Sequence, residues 1–175
     1  MGGFSKLRED WETRYVSEYV LEKFPNDEAK YRCPLGMVPE QFIQALGLGK
    51  AIRMYRPYRP ECDAAVITAD AIVLIEGKIF KVVDGLAKLP LYRYLVPLTP
   101  EFAPFKSMPV RAVLVTPKRL TWGDEYANSV NVEIALYSPD WIKEYYAKQE
   151  RYWTGDERFK RYQRSETLRR LGYEK

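Results

Sequence analysis

The segment from Glu61 to Phe80 constrains the fold of this chain more than any other stretch. It holds two apolar runs, 64–68 and 71–75, which are separated only by Ala69-Asp70. Short apolar runs joined by two turn-forming positions are typical of a β-hairpin. The segment therefore predicts two antiparallel strands with a two-residue loop.

The predicted register brings charged side chains together at the open end of this hairpin. A loop at residues 69 and 70 pairs residues whose numbers sum to 139, so Asp63 faces Glu76. Side chains alternate along a strand, and Lys78 therefore shares a face with Glu76. Charges beside apolar strands cost desolvation free energy unless something uses them. Two such carboxylates suit Mg²⁺ or Mn²⁺, with the Gly77 carbonyl as a further ligand.

The composition excludes several other chemistries. The 175 residues include no histidine, which excludes Ser-His and Cys-His nucleophile pairs and imidazole zinc sites. The two cysteines, Cys33 and Cys62, are too few for a disulfide framework, and we interpret them as small buried residues. Carboxylates, lysine and tyrosine are left to carry any reaction.

Length and charge predict one domain over residues 1–153 and a basic tail over 154–175. Residues 151–175 hold eight Lys/Arg against four Asp/Glu, which accounts for the whole net charge of +4. This tail is either a solvated surface or a segment that follows phosphates. The absence of a signal peptide or membrane span predicts no membrane partner and an intracellular protein, cytoplasmic or virion-associated.

Periodicity along the rest of the chain predicts an α/β fold. Helical segments are predicted over 11–24, 40–46, 82–96, 117–127 and 140–152, and further strands over 31–35, 51–55, 110–116 and 130–137. Strands flanked by helices indicate a mixed central sheet covered on both faces. Pro90 conflicts with the helix over 82–96, because a proline inside a helix removes a hydrogen bond. The aromatic face of the last helix either packs on the sheet or docks a partner.

Basic and aromatic residues alternate just before the hairpin. Arg56 and Arg59 interleave with Tyr55 and Tyr58, a mixture that suits contacts with phosphates and bases. A solvated approach to a strand is the alternative interpretation.

Asp63, twelve intervening residues and then Glu76-Gly77-Lys78 resemble the D…ExK signature of the PD-(D/E)XK nuclease superfamily. The resemblance covers residues 12–137 and implies a restriction-endonuclease-like αβββαβ core, here followed by a C-terminal helix and the basic tail. One departure is Cys62, which stands where the family has proline.

Residues outside the signature extend the resemblance. Glu12 is similar to the glutamate of the family's leading helix, and Lys88 precedes Tyr92 by four residues where the family often has glutamine before tyrosine. The resemblance implies that Asp63 and Glu76 hold Mg²⁺, with Glu12 completing the shell through water. It also implies that Lys78 orients or activates the attacking water.

The leading hypothesis is therefore a metal-dependent nuclease that hydrolyses DNA, with Lys88 and Tyr92 on the substrate strand. A second hypothesis is a catalytically silent nuclease-like domain, used structurally in a viral particle or a DNA-processing complex. Other viral or DNA-processing proteins and a second copy of the chain are then expected partners. A third is a solvated hairpin without any site.

Overall fold

The computed structural model describes residues 3–119, 123–151, 163–164, 166–167 and 169–170. This part of the chain divides between two compact units, Met1–Tyr137 and Ser138–Lys175. The predicted boundary between residues 153 and 154 falls in a segment that is not described. No helix in the described ranges combines the length and apolar character that crossing a bilayer requires.

Helices and strands alternate along the described chain. The helices are α1 (Gly3–Lys23), α2 (Glu40–Leu46), α3 (Leu48–Tyr55), α4 (Val82–Leu95), α5 (Gly123–Ser129) and α6 (Asp140–Arg151). The strands are β1 (Glu28–Pro34), β2 (Glu61–Ile67), β3 (Ile72–Gly77), β4 (Val110–Thr116) and β5 (Glu133–Leu136). Short 3-10 helices cover Arg56–Tyr58, Val96–Leu98 and Pro100–Phe105.

The five strands form one sheet in the order β1-β2-β3-β4-β5. The pairs β1·β2 and β2·β3 are antiparallel, whereas β3·β4 and β4·β5 are parallel. The predicted α/β fold with a mixed sheet is therefore confirmed. The parallel half needs crossover connections, and these contain α4 and α5.

The predicted hairpin has the expected register. Ala64 pairs with Ile75 and Val66 with Val73, so the paired numbers sum to 139. The Thr68 amide closes the loop on the Ala71 carbonyl at 3.0 Å. The loop chemistry and the alternation of apolar residues were sufficient to predict this pairing.

The central strand β3 is buried along its whole length, and its two faces meet different helices. Leu74 belongs to one buried cluster with Leu86 and Leu89 of α4. On the opposite face, Gly77 lies against Val16 of α1. Helices therefore cover both faces of the sheet at β3, which fixes the end of this strand between α1 and α4.

Two predicted strands were wrong or too long. Residues 51–55 lie in the helix α3, which follows Gly47 at φ 74°. The strand predicted over 130–137 begins only at Glu133, because the preceding residues close the end of α5. There Val132 donates to the Ala127 carbonyl at 2.8 Å, and Asn131 is left-handed at φ 52°.

The remaining predicted elements agree more closely. The strand β4 and the helix α2 have the predicted bounds, and α4 continues through Pro90. In the second unit, α6 begins at the predicted Asp140, and Ile142 is buried. The predicted helical connection of 117–127 is α5, which begins later, at Gly123.

Candidate active site

Four of the predicted site residues meet where β2 begins and β3 ends. The centre of the group is the ammonium of Lys78. Its Nζ lies 3.1 Å from Glu76 Oε1, 3.4 Å from Glu12 Oε2 and 3.8 Å from Asp63 Oδ2. The hairpin supplies three of these side chains and α1 supplies Glu12. We call these four residues and Lys88 the carboxylate–lysine cluster.

Glu76 is the most deeply buried carboxylate of the cluster. Its side chain is 1% exposed, and burial together with the neighbouring Asp63 charge raises its pKa, against the opposing effect of the lysines. Its Oε1 is within 3.4 Å of Lys88 Nζ in addition to Lys78. Its Oε2 is buried and has no hydrogen-bond partner among the described residues. A buried carboxylate oxygen without a partner costs free energy unless a cation or a donor reaches it.

Lys78 is held in its charged form by the same cluster. Burial alone would lower its pKa, but the charges of Asp63, Glu76 and Glu12 outweigh that effect and the pKa is raised. The side chain is only 10% exposed. At neutral pH it is therefore an ammonium that donates hydrogen bonds and cannot accept a proton.

Asp63 is fixed by the backbone of the opposite strand. Its Oδ2 accepts a hydrogen bond from the Gly77 amide at 2.9 Å. The side chain remains 34% exposed, so the Asp63 carboxylate is open to solvent whereas the Glu76 carboxylate is buried. The chain path past the motif is also fixed, because the Lys78 amide donates to the Val115 carbonyl at 2.9 Å.

Two glycines allow the helices to approach the cluster. A Cβ on Gly77 would lie 2.3 Å from Val16 Cγ2, so the glycine of the motif permits close packing of α1. A Cβ on Gly85 would lie 2.6 Å from Leu114 Cδ1 and 2.9 Å from Lys78 Cγ. Gly85 was missed by sequence reasoning, although a glycine inside a predicted helix is a signal of close packing.

The cluster also includes Lys88, which projects from α4. Its Nζ lies 3.4 Å from Glu76 Oε1, and about half of its side chain, 49%, is exposed. Lys88 can therefore contact Glu76 and still reach a ligand in solvent. The predicted substrate-binding position is consistent with this exposure.

Two other predicted substrate contacts fall on buried side chains. Tyr92 is buried in the core, where its hydroxyl donates to the Glu61 carbonyl at 2.9 Å. Arg59 is buried as well, and its two terminal nitrogens bond both Glu101 oxygens at 2.7 and 2.8 Å. Neither side chain is available to a polymer in solvent, because tertiary contacts that the local sequence does not reveal have drawn both inward.

Arg56 lies between these cases. Its Nη2 lies 2.9 Å from Glu61 Oε2 and 3.0 Å from the Arg32 carbonyl, so it anchors its own segment to β1 and β2. Half of the side chain is nevertheless exposed. Its predicted substrate contact is compatible with that exposure, and its anchoring role was not predicted.

The donor set fits a hard cation in part. Among the residues described, no group of three or more Asp, Glu or Cys side chains stands ready to hold a metal ion. Asp63 and Glu76 are still oxygen ligands of the kind that Mg²⁺ prefers, and Mg²⁺ usually needs one or two protein carboxylates because it keeps several waters. The unpartnered Glu76 Oε2 is the atom that such a cation would satisfy.

Comparison with known proteins does not name a family. No family model matches the chain, and no curated protein matches it. One similar solved structure is the crystal structure of protein VC1899 from Vibrio cholerae, with 27% identity and a TM-score of 0.33. The match covers 49% of this chain and 21% of that chain. A similarity of this size carries no argument about fold or function.

Proposed function

We propose that this chain is a metal-dependent nuclease of the PD-(D/E)XK type that hydrolyses phosphodiester bonds in DNA. The observation that carries the proposal is the convergence of Asp63, Glu76 and Lys78 at one end of the hairpin, where a buried Glu76 oxygen has no hydrogen-bond partner in the described ranges. A solvated hairpin would not bury a glutamate and a lysine together. The cluster therefore supports a site that uses its charge.

The element order supports the restriction-endonuclease-like arrangement. A helix, three antiparallel strands, a crossover helix and a parallel strand follow one another as α1, β1, β2, β3, α4 and β4, with α2 and α3 inserted between β1 and β2. The signature residues lie on the second and third of these strands. This order supports the arrangement that the sequence resemblance implies.

The chemistry follows from the charges of the cluster. Asp63 and Glu76 would hold Mg²⁺ or Mn²⁺, and the bound cation would polarise the phosphoryl oxygen and lower the pKa of a bound water. Lys78 is protonated at neutral pH, so it positions the attacking water and offsets negative charge that develops on the phosphate. Glu12 holds the Lys78 ammonium in place at 3.4 Å. As the water oxygen bonds to phosphorus its proton passes to solvent water, while the bond to the leaving oxygen breaks and that oxygen takes a proton from solvent.

Cleavage by single variants tests the proposal directly. The full chain is incubated with duplex, single-stranded and branched DNA and with Mg²⁺ or Mn²⁺. Asp63→Ala, Glu76→Ala and Lys78→Ala should each lower the rate at least ~10²-fold, and double variants should be little worse than single ones. Glu125→Ala and Lys106→Ala are the matched controls, because both side chains are exposed and neither belongs to the cluster.

Two results would contradict the proposal. One is near-normal cleavage by any of the three cluster variants. The other is a wild-type protein that is folded by circular dichroism and binds the cation, yet cleaves none of the substrates. The second result would favour the structural use of a nuclease-like domain.

A further inference from the structure

The segment between β1 and β2 carries a partly exposed aromatic cluster that the proposed chemistry does not use. The Phe42 and Tyr55 rings lie 5.3 Å apart, and the Tyr55 and Tyr58 rings also lie 5.3 Å apart. We call these three rings the aromatic platform. Tyr58 is 76% exposed, so most of its ring is open to solvent. A ring exposed in this way presents an open aromatic face to a ligand.

The positive charge of the segment between β1 and β2 favours an anionic ligand. Residues 41–60 contain four basic residues and no Asp or Glu; the basic residues are Lys50, Arg53, Arg56 and Arg59. Arg56 and Arg59 have carboxylate partners outside the segment, Glu61 and Glu101. Lys50 and Arg53 are exposed and form no ion pair within the described part of the chain. They lie three residues apart on α3, so they are neighbours on one side of that helix.

The two partnered arginines tie the segment around Tyr58 to neighbouring residues. Arg56 bonds Glu61 and the Arg32 carbonyl, and Arg59 bonds Glu101 and the Pro34 carbonyl. Tyr58 therefore projects from a short 3-10 helix that is anchored on both sides. Proline at position 57 restricts the backbone further. A ring presented in this way loses little conformational entropy when a ligand stacks on it.

The platform is also connected to the carboxylate–lysine cluster. The Arg56 partner, Glu61, lies two residues before Asp63 on β2, which is about 7 Å along a strand. The Tyr92 hydroxyl, on the helix α4 that carries Lys88, bonds the Glu61 carbonyl. A polymer that contacts the aromatic platform therefore starts close to the cluster.

We propose that the aromatic platform is a stacking site for unpaired bases of single-stranded nucleic acid, with Lys50 and Arg53 contacting its phosphates. Aromatic rings stack on any base, and cations beside them follow the backbone. A duplex fits poorly, because its bases stack on each other and do not present their faces to a side chain. That the bound strand is also the substrate of the carboxylate–lysine cluster rests on the proposed function. The binding itself does not depend on it.

Binding without cleavage tests the inference. The anisotropy of a labelled oligothymidine is measured with the full chain in EDTA, so that no divalent cation supports hydrolysis. Tyr58→Ala should weaken binding by roughly 5- to 150-fold, whereas Tyr58→Phe should bind as the wild type does, because stacking needs the ring and not the hydroxyl. Tyr94→Ala is the matched control, since Tyr94 is 69% exposed and lies outside the platform.

The salt dependence of binding tests the roles of Lys50 and Arg53. If Lys50 and Arg53 each neutralise one phosphate, Lys50→Ala and Arg53→Ala should each flatten the slope of log K against log salt by about 0.7. A duplex of the same sequence should bind more weakly than the single strand. Single-strand binding that is unchanged in Tyr58→Ala, or equal affinity for the duplex, would overturn the inference.

The test also separates this inference from the proposed function. Tyr58-dependent binding by a protein that cleaves nothing would support the platform and contradict the nuclease. Cleavage that requires Glu76 while Tyr58→Ala leaves binding unchanged would support the nuclease and overturn the platform. A change of mass in light scattering on Tyr58→Ala, with no binding by the wild type, would overturn it in favour of a contact between copies.

Discussion

Lys78 and Arg59 are both buried cations with carboxylate partners, and their surroundings differ in geometry and in charge balance. Arg59 faces one carboxylate, Glu101, through two short contacts of 2.7 and 2.8 Å. Lys78 faces three carboxylates at 3.1, 3.4 and 3.8 Å, and Lys88 shares one of them. The first arrangement is one-to-one and bidentate, whereas the second contains more carboxylates than lysines.

The difference separates a structural ion pair from a candidate site. A bidentate pair uses both carboxylate oxygens, and only the Nε donor of Arg59 lacks a partner among the residues described. In the cluster, Glu76 Oε2 is a buried acceptor without a hydrogen-bond partner among the residues described. An unmatched acceptor in an acidic group can take a cation, while an unmatched donor in a closed pair cannot. Burial of a charge alone therefore does not identify a site.

The largest expected effect on stability comes from breaking the Arg59–Glu101 pair. Arg59→Met should cost up to about 3–5 kcal/mol of unfolding free energy, because it removes the buried partner of a partly buried pair and leaves the Glu101 carboxylate, 24% exposed, uncompensated. Urea unfolding at neutral pH measures this cost. Arg111→Met is the matched control: Arg111 also bonds a glutamate twice, but its side chain is 47% exposed, so the loss should stay below about 1 kcal/mol. Equal costs for the two variants would show that burial does not make the Arg59–Glu101 pair more important for stability than the exposed Arg111–Glu133 pair.

The second effect concerns cations at the open cluster. A divalent cation that binds only the folded state should raise the unfolding free energy by about 2.7 kcal/mol at a concentration ~100 times its dissociation constant. Glu76→Gln should abolish this rise and leave the metal-free protein equally or more stable, because it removes a buried charge. Thermal melting with and without Mn²⁺ measures both quantities.

Glu125→Gln is the control for that experiment, since Glu125 is exposed and should leave the metal-linked rise intact. A rise that survives Glu76→Gln would place the cation elsewhere. In that case the difference between the Arg59–Glu101 pair and the carboxylate–lysine cluster would no longer identify a cation site.

The sequence predicts that Asp63, Glu76 and Lys78 come together because local rules determine their positions. The two-residue loop fixes the hairpin register, and the register brings Asp63 to the amide of Gly77 and to Lys78. The same alternation puts Glu76 and Lys78 on one face. Short-range pairing and side-chain alternation are the parts of a fold that a single sequence encodes most directly.

The missed features depend on residues distant in the chain. The sequence around Arg59 does not indicate that its partner is Glu101, which lies 42 residues further along the chain. Tyr92 was predicted to reach the substrate, yet its bond to the Glu61 carbonyl spans 31 residues. Residues 51–55 are predicted as a strand, yet they lie in α3, whose first turn follows Gly47. Long-range contacts decide between such alternatives.

The smallest expected effect compares two glutamates in their response to pH. Burial raises the pKa of Glu76, whereas the hydrogen bond from Arg111 lowers the pKa of Glu133. The folded protein therefore keeps the Glu76 proton to higher pH than the unfolded chain does, and the stability that depends on Glu76 falls as pH rises above about 4.5. For Glu133 the sign is reversed: its contribution is present above 4.5 and is lost as pH falls through the lowered pKa.

Urea unfolding in EDTA across the acidic to neutral range should separate these two signs. Glu76→Gln should stabilise the protein relative to wild type, and the gain should grow as pH rises, because the variant carries no buried charge. Glu133→Gln should lose about 0.2–1 kcal/mol near neutral pH, as expected for an exposed pair, and the loss should shrink in acid. The chelator matters, because a bound cation would favour the ionised form of Glu76 and reverse its sign. A Glu76→Gln gain that shrinks as pH rises would contradict the assignment of burial as the cause of the shift.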